Sequence, residues 1–173
     1  MFSPRIIPVL LYSNQGLVKS VKFKDYTYIG DPINAVRIFN DCVTDEIVIL
    51  DINASKNKKT IDLQLVKEVG EEANMPFSVG GGIDTIQKIY ERLKGGAEKV
   101  IINSAALRNV NFVKEAAEHF GSSTITVCID IKKNFLGKYQ LYSHSDKKSL
   151  SVDYMDYVKK IEDAGAGEII IQS

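Results

Sequence analysis

Short apolar runs alternate along the chain with longer segments of helical period. The first run, Ile6 to Leu11, lies in the stretch "RIIPVLLYSNQGLVKS" and is followed by a turn signal of small and polar residues. A continuous apolar run of this length predicts a strand buried on both faces. A second short strand is predicted at Leu17 to Phe23. The strands predicted for the main sheet are Arg5–Leu11, Glu46–Ile52, Phe77–Gly80, Lys99–Ile102, Thr124–Ile129 and Glu168–Gln172.

Between these strands the apolar residues recur with a helical period. Asp31 and Pro32 supply an N-cap and a first-turn proline for one such segment, and Thr60 precedes the next. Strands and helices that alternate with short connections predict a parallel sheet with right-handed crossovers. Two architectures satisfy this pattern, the doubly wound sheet and the closed (β/α)8 barrel. Further helices are predicted at Asp84–Leu93, Val110–His119 and Asp153–Ala164.

An internal repeat favours the barrel. The segment "AVRIFNDCVTDEIVILD", residues 35–51, matches "YVKKIEDAGAGEIIIQS", residues 157–173, at an offset of 122 residues. Each copy follows a strand and a hairpin-like polar excursion, at 12–28 and at 132–148. A strand and helix unit that recurs after four strands predicts an α/β fold, a (β/α)8 TIM barrel of two pseudo-symmetric halves.

The length of the chain then implies an incomplete barrel. We expect one barrel domain over residues 1–173, covering about six strands, with a C-terminal part of about two βα units missing. A complete, open six-stranded domain is the alternative. It is disfavoured because it would expose an apolar sheet edge.

Composition narrows the class of protein. The 173 residues are 45% hydrophobic and include 22 basic and 22 acidic side chains, as in a globular protein with a substantial core. Balanced charge argues against a general role in binding nucleic acid or a membrane. Without a membrane-length apolar run or a signal-peptide pattern, a cytoplasmic location is expected. Cys42 and Cys128 are isolated, which predicts buried, reduced thiols and no metal site.

Two polar loops at the ends of predicted strands form a candidate phosphate site. Gly80, Gly81 and Gly82 follow the third strand and precede a helix. Such a run frees backbone N–H groups to bind an anion, whereas a tight turn alone is the alternative. Asn103 and Ser104 follow the fourth strand and are predicted to share the same phosphate.

Two carboxylates end apolar strands. An unpaired carboxylate at such a place is costly unless it faces the mouth of the barrel, so Asp51 and Asp130 are candidate catalytic groups. Capping or pairing within the core is the alternative for each. The two histidines, His119 and His144, are expected to be structural, at a helix C-terminus and in the polar hairpin.

These residues carry a resemblance to a known family. The order of "RIIPVLL", "GLVK", "GDP", "DEIVILD", "VGGGI", "EKVIINSAA", "FGSSTITVCIDIK" and "GAGEI" resembles that of the cyclase subunit of imidazole glycerol phosphate synthase. The resemblance covers essentially the whole chain. It implies a (β/α)8 barrel with one phosphate site in each half, which receives ammonia from a glutaminase and cleaves and cyclises a phosphoribulosyl-formimino nucleotide. No metal or other cofactor is expected.

The resemblance also implies an ammonia gate. In the family, a ring of one arginine, two glutamates and one lysine closes the N-terminal end of the barrel. Each matching residue here stands at the start of its own predicted strand, so the side chains can converge as mutually compensated charges. A structural salt-bridge plug is the alternative, and Glu98 at the rim is a predicted interface charge. The four predicted gate residues are Arg5, Glu46, Lys99 and Glu168.

One position departs from the family pattern. The family uses two carboxylates across the mouth, at the ends of strands one and five, as acid and base for ring closure. Asp130 matches the second, but Leu11 takes the place of the first, and a leucine cannot transfer a proton. The predicted catalytic residues are therefore Asp130, Lys19 and Asp51, with the acid-base pair incomplete.

This departure fits a paralogous branch better than the histidine pathway. The segment "PVLLYSNQGLVKSVKFKDYTYIGDPINAV" resembles cyclase-like proteins of bacterial surface-polysaccharide pathways, which make acetamidino sugars for lipopolysaccharide O-antigen. That branch implies three partners: a glutaminase subunit, a phosphorylated ribulosyl or sugar-nucleotide substrate, and a sugar amidotransferase that accepts the ammonia. The alternatives are a true histidine-biosynthesis cyclase, a phosphosugar isomerase without a glutaminase, and a silent barrel that only binds and activates the glutaminase.

Overall fold

The structure is a computed structural model that describes residues 4–13, 16–21, 24–135, 137–144 and 147–173. The strands are β1 (Val9–Ser13), β2 (Gly16–Val21), β3 (Lys24–Gly30), β4 (Ile47–Asp51), β5 (Phe77–Gly80), β6 (Lys99–Ile102), β7 (Ile125–Lys133), β8 (Tyr139–Ser143), β9 (Lys148–Ser149) and β10 (Glu168–Gln172). The helices are α1 (Pro32–Asp41), α2 (Leu63–Glu72), α3 (Ile86–Lys94), α4 (Ser104–Arg108), α5 (Val110–Phe120) and α6 (Tyr154–Asp163).

Six strands form the parallel sheet that the alternation of strands and helices predicts. Their order is β1-β4-β5-β6-β7-β10. Two antiparallel hairpins leave this sheet at equivalent points, β2 and β3 after β1, and β8 and β9 after β7. Both predicted excursions therefore contain antiparallel strands, while residues 14, 15, 22, 23, 136, 145 and 146 of these segments, with the predicted strand end at Phe23, lie outside the described residues.

An ion pair between the two outermost parallel strands shows that the sheet is curved. Arg5 precedes β1 and Glu168 begins β10, yet Arg5 Nη2 lies 2.7 Å from Glu168 Oε1. Neighbouring strands are about 4.8 Å apart, so a flat sheet would separate these two edges by about 24 Å. The α/β fold is that of a (β/α)8 barrel, of which the described residues form six parallel strands.

The internal repeat is visible as two matching halves. Helix α6 begins and ends at the same 122-residue offset from α1 that the sequence repeat shows. Asp31 accepts two backbone N–H bonds at the start of α1, and Asp153 does so at the start of α6. Such N-caps stabilise a helix by about 1 kcal/mol each. The repeat brings Glu46 and Glu168, which follow these helices, to equivalent places before β4 and at the start of β10.

The core has an outer layer and a small interior cluster. Two large apolar clusters pack the helices against the outside of the sheet. The interior cluster lies inside the curved sheet and contains Val48, Ile101 and Cys128, with Ile7, Leu50 and Ile170 packed against it. Among the helices described, none has the length and apolarity needed to cross a membrane.

The prediction that the first strand is buried on both faces is wrong. The strand begins at Val9, which is 49% exposed, and Ile6 is 79% exposed. The reason is that β2 pairs with β1 only from Leu11 onward, and the described residues place no strand beside the earlier part of that edge. Cys42 is likewise exposed at the C-terminal end of α1, whereas Cys128 is buried as predicted, and both are free thiols.

Candidate functional site

One face of β7 runs along the interior of the barrel from end to end. Cys128 packs in the interior cluster with Val48 and Ile101. Since side chains alternate along a strand, Thr126 and Asp130 lie on the same face as Cys128. Thr126 is level with Glu168 in the pairing of β7 with β10. The interior therefore has one polar end near Glu168 and a second near Asp130.

At the N-terminal end, four side chains form a closed ring of alternating charge, the charged ring. Lys99 Nζ lies 2.9 Å from both Glu46 Oε2 and Glu168 Oε1. Arg5 completes the ring, with Nη1 3.2 Å from Glu46 Oε2 and Nη2 2.7 Å from Glu168 Oε1. Ser78 Oγ donates a 2.5 Å hydrogen bond to the second oxygen of Glu46. The structure thus brings all four predicted gate residues together.

The contacts within the charged ring hold Lys99 and Glu168 in the ionised state. The side chains of Glu46 and Lys99 are only 3% and 10% exposed. Burial by itself lowers the pKa of Lys99, but the bonds to Glu168 and Glu46 outweigh it and raise that pKa above the ordinary value. Burial by itself raises the pKa of Glu168, but its bonds with Lys99 and Arg5 outweigh it and lower that pKa. In such a ring, the attraction between paired charges offsets the free-energy cost of removing them from water.

Glu98 lies beside the charged ring on the outer rim. It is exposed and directly precedes Lys99, the first residue of β6. It also lines a shallow groove with Asn74, Met75 and Phe77 at the N-terminal end of β5. The predicted interface charge is therefore accessible at the same end of the barrel as the ring.

At the opposite end, Asp130 is held by a neighbouring strand and faces a histidine. Asn103 Nδ2 donates to Asp130 Oδ2 over 2.9 Å, and Asp130 is 8% exposed. The side chain of Asn103, at the N-terminus of α4, makes this bond in place of a helix cap. His144 Nε2 lies 3.7 Å from the other oxygen of Asp130. Burial, and then the charge of Asp130, raise the pKa of Cys128 to about 11.

Asp51 makes contacts of the capping kind. Its Oδ1 accepts backbone bonds from Asn53 and Ala54, at 2.9 and 3.0 Å. Asn53 Nδ2 in turn donates to Ser13 Oγ at 2.7 Å. Asp51 therefore shapes the loop after β4, and Asn53 ties that loop to the end of β1. Its predicted catalytic role stays a prediction.

The glycine loop packs closely against the loop that follows β4. Gly81 has φ +125°, and a Cβ there would lie 2.7 Å from the carbonyl oxygen of Asp51. Gly82 has φ +66°, and its Cβ would collide with the carbonyl group of Lys59. Close approach therefore requires glycine at both positions, whether or not the loop also binds phosphate. Lys88, which the sequence did not single out, pairs with Asp84 at 2.6 Å beside this loop.

The remaining predicted residues form no side-chain hydrogen bond or ion pair with Asp130 in the described part of the chain. Ser104 is the half-buried first residue of α4. Lys19 is exposed in β2, paired with Thr27 through the backbone, and its side chain has no hydrogen bond or ion pair with another residue of the described ranges. Leu11 is paired with Leu50 and Val18, so the mouth is apolar at the end of β1. The structure joins Asp130 to Asn103 but does not bring Lys19 to either carboxylate.

A curved parallel sheet with polar groups at both ends of one interior defines a (β/α)8 barrel protein, the class whose sites lie at the ends of the strands. Residues 5–173 match the family model described as histidine biosynthesis protein. The chain belongs to this family, and the predicted family resemblance is confirmed.

Similar proteins are named as synthase subunits. The chain is 43% identical over 172 residues to "Putative imidazole glycerol phosphate synthase subunit hisF3" of Vibrio vulnificus strain YJ016, covering 99% of this chain and 66% of that protein. It is 40% identical over 173 residues to a similarly named subunit, hisF2, of Pseudomonas aeruginosa (100% and 69%). It is 40% identical over 174 residues to "Imidazole glycerol phosphate synthase subunit HisF" of Petrotoga mobilis (100% and 69%). The chain thus spans about two thirds of the length of these relatives.

Proposed function

We propose that the chain is the cyclase-type part of an imidazole glycerol phosphate synthase-like glutamine amidotransferase complex. The observation that carries this proposal is one barrel interior with the charged ring at one end and Asp130, held by Asn103, at the other. A glutaminase bound at the ring end releases ammonia there. The ammonia then reaches an acceptor held at the mouth.

The interior suits the passage of a small neutral molecule. Between the two ends it is lined by the apolar cluster of Val48, Ile101 and Ile170. The Oγ1 atom of Thr126 is buried in this region and has no hydrogen-bond partner within the described part of the chain. A buried, unpaired hydroxyl can bind a passing ammonia molecule, because ammonia both donates and accepts hydrogen bonds. Arg5, half exposed, is the ring member best placed to move and open the gate.

The mouth is the proposed substrate site. Backbone N–H groups of the glycine loop and the polar groups of Asn103 and Ser104 would bind one phosphate of the substrate. Asp130 would transfer protons, with Lys19 and Asp51 as the further catalytic groups. The substrate is a phosphorylated ribulosyl compound or a sugar nucleotide.

The apolar end of β1 supports the surface-sugar branch as the destination of the ammonia. Leu11, next to Leu50, leaves the end of β1 without an acid or base. Ammonia delivered to a separate sugar amidotransferase would not require a complete pair of carboxylates. A silent barrel that only activates the glutaminase is the second candidate, and Leu11 favours it as well. The bond between Asn103 and Asp130 favours a working site instead, because it orders a carboxylate at the mouth.

Co-expression with a candidate glutaminase, followed by size-exclusion chromatography, tests the proposal. We expect co-elution and an increased rate of glutamine hydrolysis. Glu98→Lys should weaken the complex, because it reverses an exposed charge at the rim of the charged ring. Glu115→Lys, on the exposed face of α5, is the matched control and should leave the complex intact. If the chain and the glutaminase do not co-elute, whichever ligand is added, the proposal is contradicted.

We also propose that residues 1–173 belong to one barrel domain, closed by about two further βα units between β10 and β1. The motivation is the apolar edge on both sides of this gap: Ile6 and Val9 on one side and Ile171 on the other are exposed. The 173-residue chain alone should therefore self-associate in sedimentation experiments. A monodisperse monomer would contradict this closure.

A further inference from the structure

The hairpin after β7 carries a histidine back to the mouth of the barrel. In the pairing of β7 with β8, Asp130 lies opposite Tyr142, so the chain two residues later is again next to the carboxylate. His144 Nε2 is 3.7 Å from Asp130 Oδ1, while Asn103 holds Oδ2. The two carboxylate oxygens thus face different partners, one a fixed amide and one an ionisable ring.

The neighbours of His144 orient its ring and leave it accessible. The ring contacts that of Tyr142 edge to face, with centroids 4.9 Å apart. The side chain of His144 is 54% exposed, whereas that of Asp130 is 9% exposed. The other charged groups on the surrounding strands, among the described residues, include Lys132 of β7, which lies over the Tyr142 ring, Lys133 at the end of β7, Lys148 of β9, opposite Ser143, and Glu168 at the far end of β10. Within the described ranges, Asp130 is the carboxylate that lies 3.7 Å from the imidazole.

We propose that His144 is the second ionisable group of this mouth and acts through Asp130 as its proton-exchange partner. This proposal rests on the proposed function: with Leu11 at the end of β1, proton exchange between Asp130 and His144 is the acid-base route left at this mouth, and it is slower than a direct pair of carboxylates. Asp130 takes a proton from the bound ligand and passes it to His144 Nε2. The exposed imidazolium releases that proton to water, and the reverse path returns a proton to the ligand. No net charge is gained over a cycle.

A histidine is chemically suited to this role. Imidazole is the side chain whose charge ordinarily changes between about pH 5 and 8, so it can both accept and donate a proton near neutral pH. The buried carboxylate contacts the ligand, and the half-exposed ring connects that carboxylate to solvent. His144 is therefore a positioning residue in this scheme, and Asp130 is the catalytic one.

The test is ammonia-dependent turnover of the phosphoribulosyl-formimino nucleotide, with ammonium salt in place of a glutaminase. His144→Gln should lower turnover by about 10²- to 10⁴-fold, the usual contribution of a general acid or base. The same change in a Leu11→Asp background should have a much smaller effect, because the new carboxylate supplies the missing group. His119→Gln, on the exposed face of α5, is the control and should not change turnover. A merely structural role for His144 would give equal losses in both backgrounds, and that result, or no loss in either, would overturn the proposal.

A second measurement does not depend on the substrate. The chain has two histidines, so their imidazole NMR signals can be assigned with His119→Gln. At a fixed pH, Asp130→Asn should change the positions of the His144 ring signals, because it removes the negative charge 3.7 Å from Nε2, and leave the His119 signals unchanged. Unchanged His144 signals would overturn the pairing. Absence of turnover in every variant, together with the expected NMR change, would overturn the proposed cyclase function and leave the pairing standing.

Discussion

Arg5, which precedes the first parallel strand, and Glu168, which begins the last, are 163 positions apart, and their side chains meet over 2.7 Å. Lys99 links the same Glu168 to Glu46. The charged ring therefore has two consequences. It fixes the curvature of the sheet at its N-terminal end, and it places a closed set of charges across the entrance to the interior.

The buried pair of Lys99 and Glu46 should be a major source of stability. We expect Lys99→Met to lower the free energy of unfolding by about 3 kcal/mol, since removing one partner of a buried pair leaves the other uncompensated. Arg5 and Ser78 still bond to Glu46, which keeps the loss at the lower end of the range for such changes. Urea unfolding followed by circular dichroism measures it.

Lys67→Met is the matched control for this change. Lys67 is exposed on α2, so its replacement should change stability by no more than about 0.5 kcal/mol. If Lys99→Met were as stable as Lys67→Met, the charged ring would contribute nothing to the stability of the fold.

The charged ring should also make stability depend on pH. The pKa of Glu168 is lowered from its ordinary value of 4.5, so its contribution is complete above that value and is lost as the pH falls through the lowered pKa. The pKa of Lys99 is raised from its ordinary value of 10.5, so its contribution is complete below that value and is lost as the pH rises through the raised pKa. Stability should therefore decline at both extremes.

Glu168→Gln isolates the acid limb. This variant should lose less unfolding free energy between pH 7 and about pH 3 than the unmodified chain, because one carboxylate that titrates on folding is gone. Glu71→Gln, an exposed carboxylate with no ion pair among the described residues, should keep the original profile. Parallel profiles for Glu168→Gln and the unmodified chain would contradict the assignment.

The glycine loop gives a prediction that separates backbone strain from close packing. Gly82→Ala should destabilise more than Gly121→Ala, although both positions have positive φ. The backbone conformation costs a side chain about 1–3 kcal/mol at either position. Only at Gly82 does a Cβ meet the backbone of Lys59, which should add about 1–3 kcal/mol.

Urea unfolding of the two variants provides the comparison. Isothermal titration with inorganic phosphate should show binding lost in Gly82→Ala and kept in Gly121→Ala, where the space around the new Cβ is open. Equal destabilisation of the two variants would mean that the loop after β4 moves away from the new Cβ. Close packing would then not require glycine at position 82.

Much of the fold could be predicted because its signals are local. The strands at Phe77–Gly80, Lys99–Ile102 and Glu168–Gln172 have the predicted bounds, since each is a short apolar run between polar segments. The repeat identified the two halves because each half uses the same Asp cap and helix length. The charged ring could be predicted because the family resemblance implies it and each of its residues stands at the start of its own predicted strand.

What the sequence did not reveal depends on long-range neighbours. β7 continues to Lys133 rather than ending at Ile129, because β8 folds back and pairs with it. Exposure of Ile6 depends on what lies beside β1, which no local pattern encodes. His144 was expected to be structural. Its distance from Asp130 is set by the register of this hairpin, which the local sequence does not determine. The sequence did contain one signal for this contact: His144 lies in the polar excursion predicted at 132–148, which follows the strand that carries Asp130.

The two cysteines should differ sharply in reactivity. Cys42 is exposed, whereas burial and the charge of Asp130 raise the pKa of Cys128 to about 11. Only about one Cys128 in a thousand is a thiolate at pH 8, and the thiolate is the reactive form. Mass spectrometry after brief treatment with iodoacetamide should find one labelled cysteine in the native protein, Cys42, and two in urea. Rapid native labelling of Cys128 would show that the interior is open to the reagent.

The residue at the end of β1 should decide the acceptor of the ammonia. Leu11 lies beside Leu50 and Val18 and can transfer no proton, so we expect the chain, in its full-length protein, to be a poor histidine-pathway cyclase. Loss of one of two acid-base groups typically lowers the rate by about 10²- to 10⁴-fold. Phosphate binding should persist, because Gly82, Asn103 and Ser104 do not depend on the charge at position 11.

Complementation of a histidine auxotroph that lacks its cyclase subunit measures the cyclase activity. The auxotroph is supplied with the full-length protein and its glutaminase. Leu11→Asp should restore growth better than the unmodified protein, because it supplies the second carboxylate. Leu11→Asn, similar in size but unable to act as a base, is the control and should not. If the unmodified protein restores growth as well as an ordinary cyclase subunit, the surface-sugar assignment fails and the protein serves histidine biosynthesis. If only Leu11→Asp gains activity, the missing carboxylate is the group that limits cyclisation.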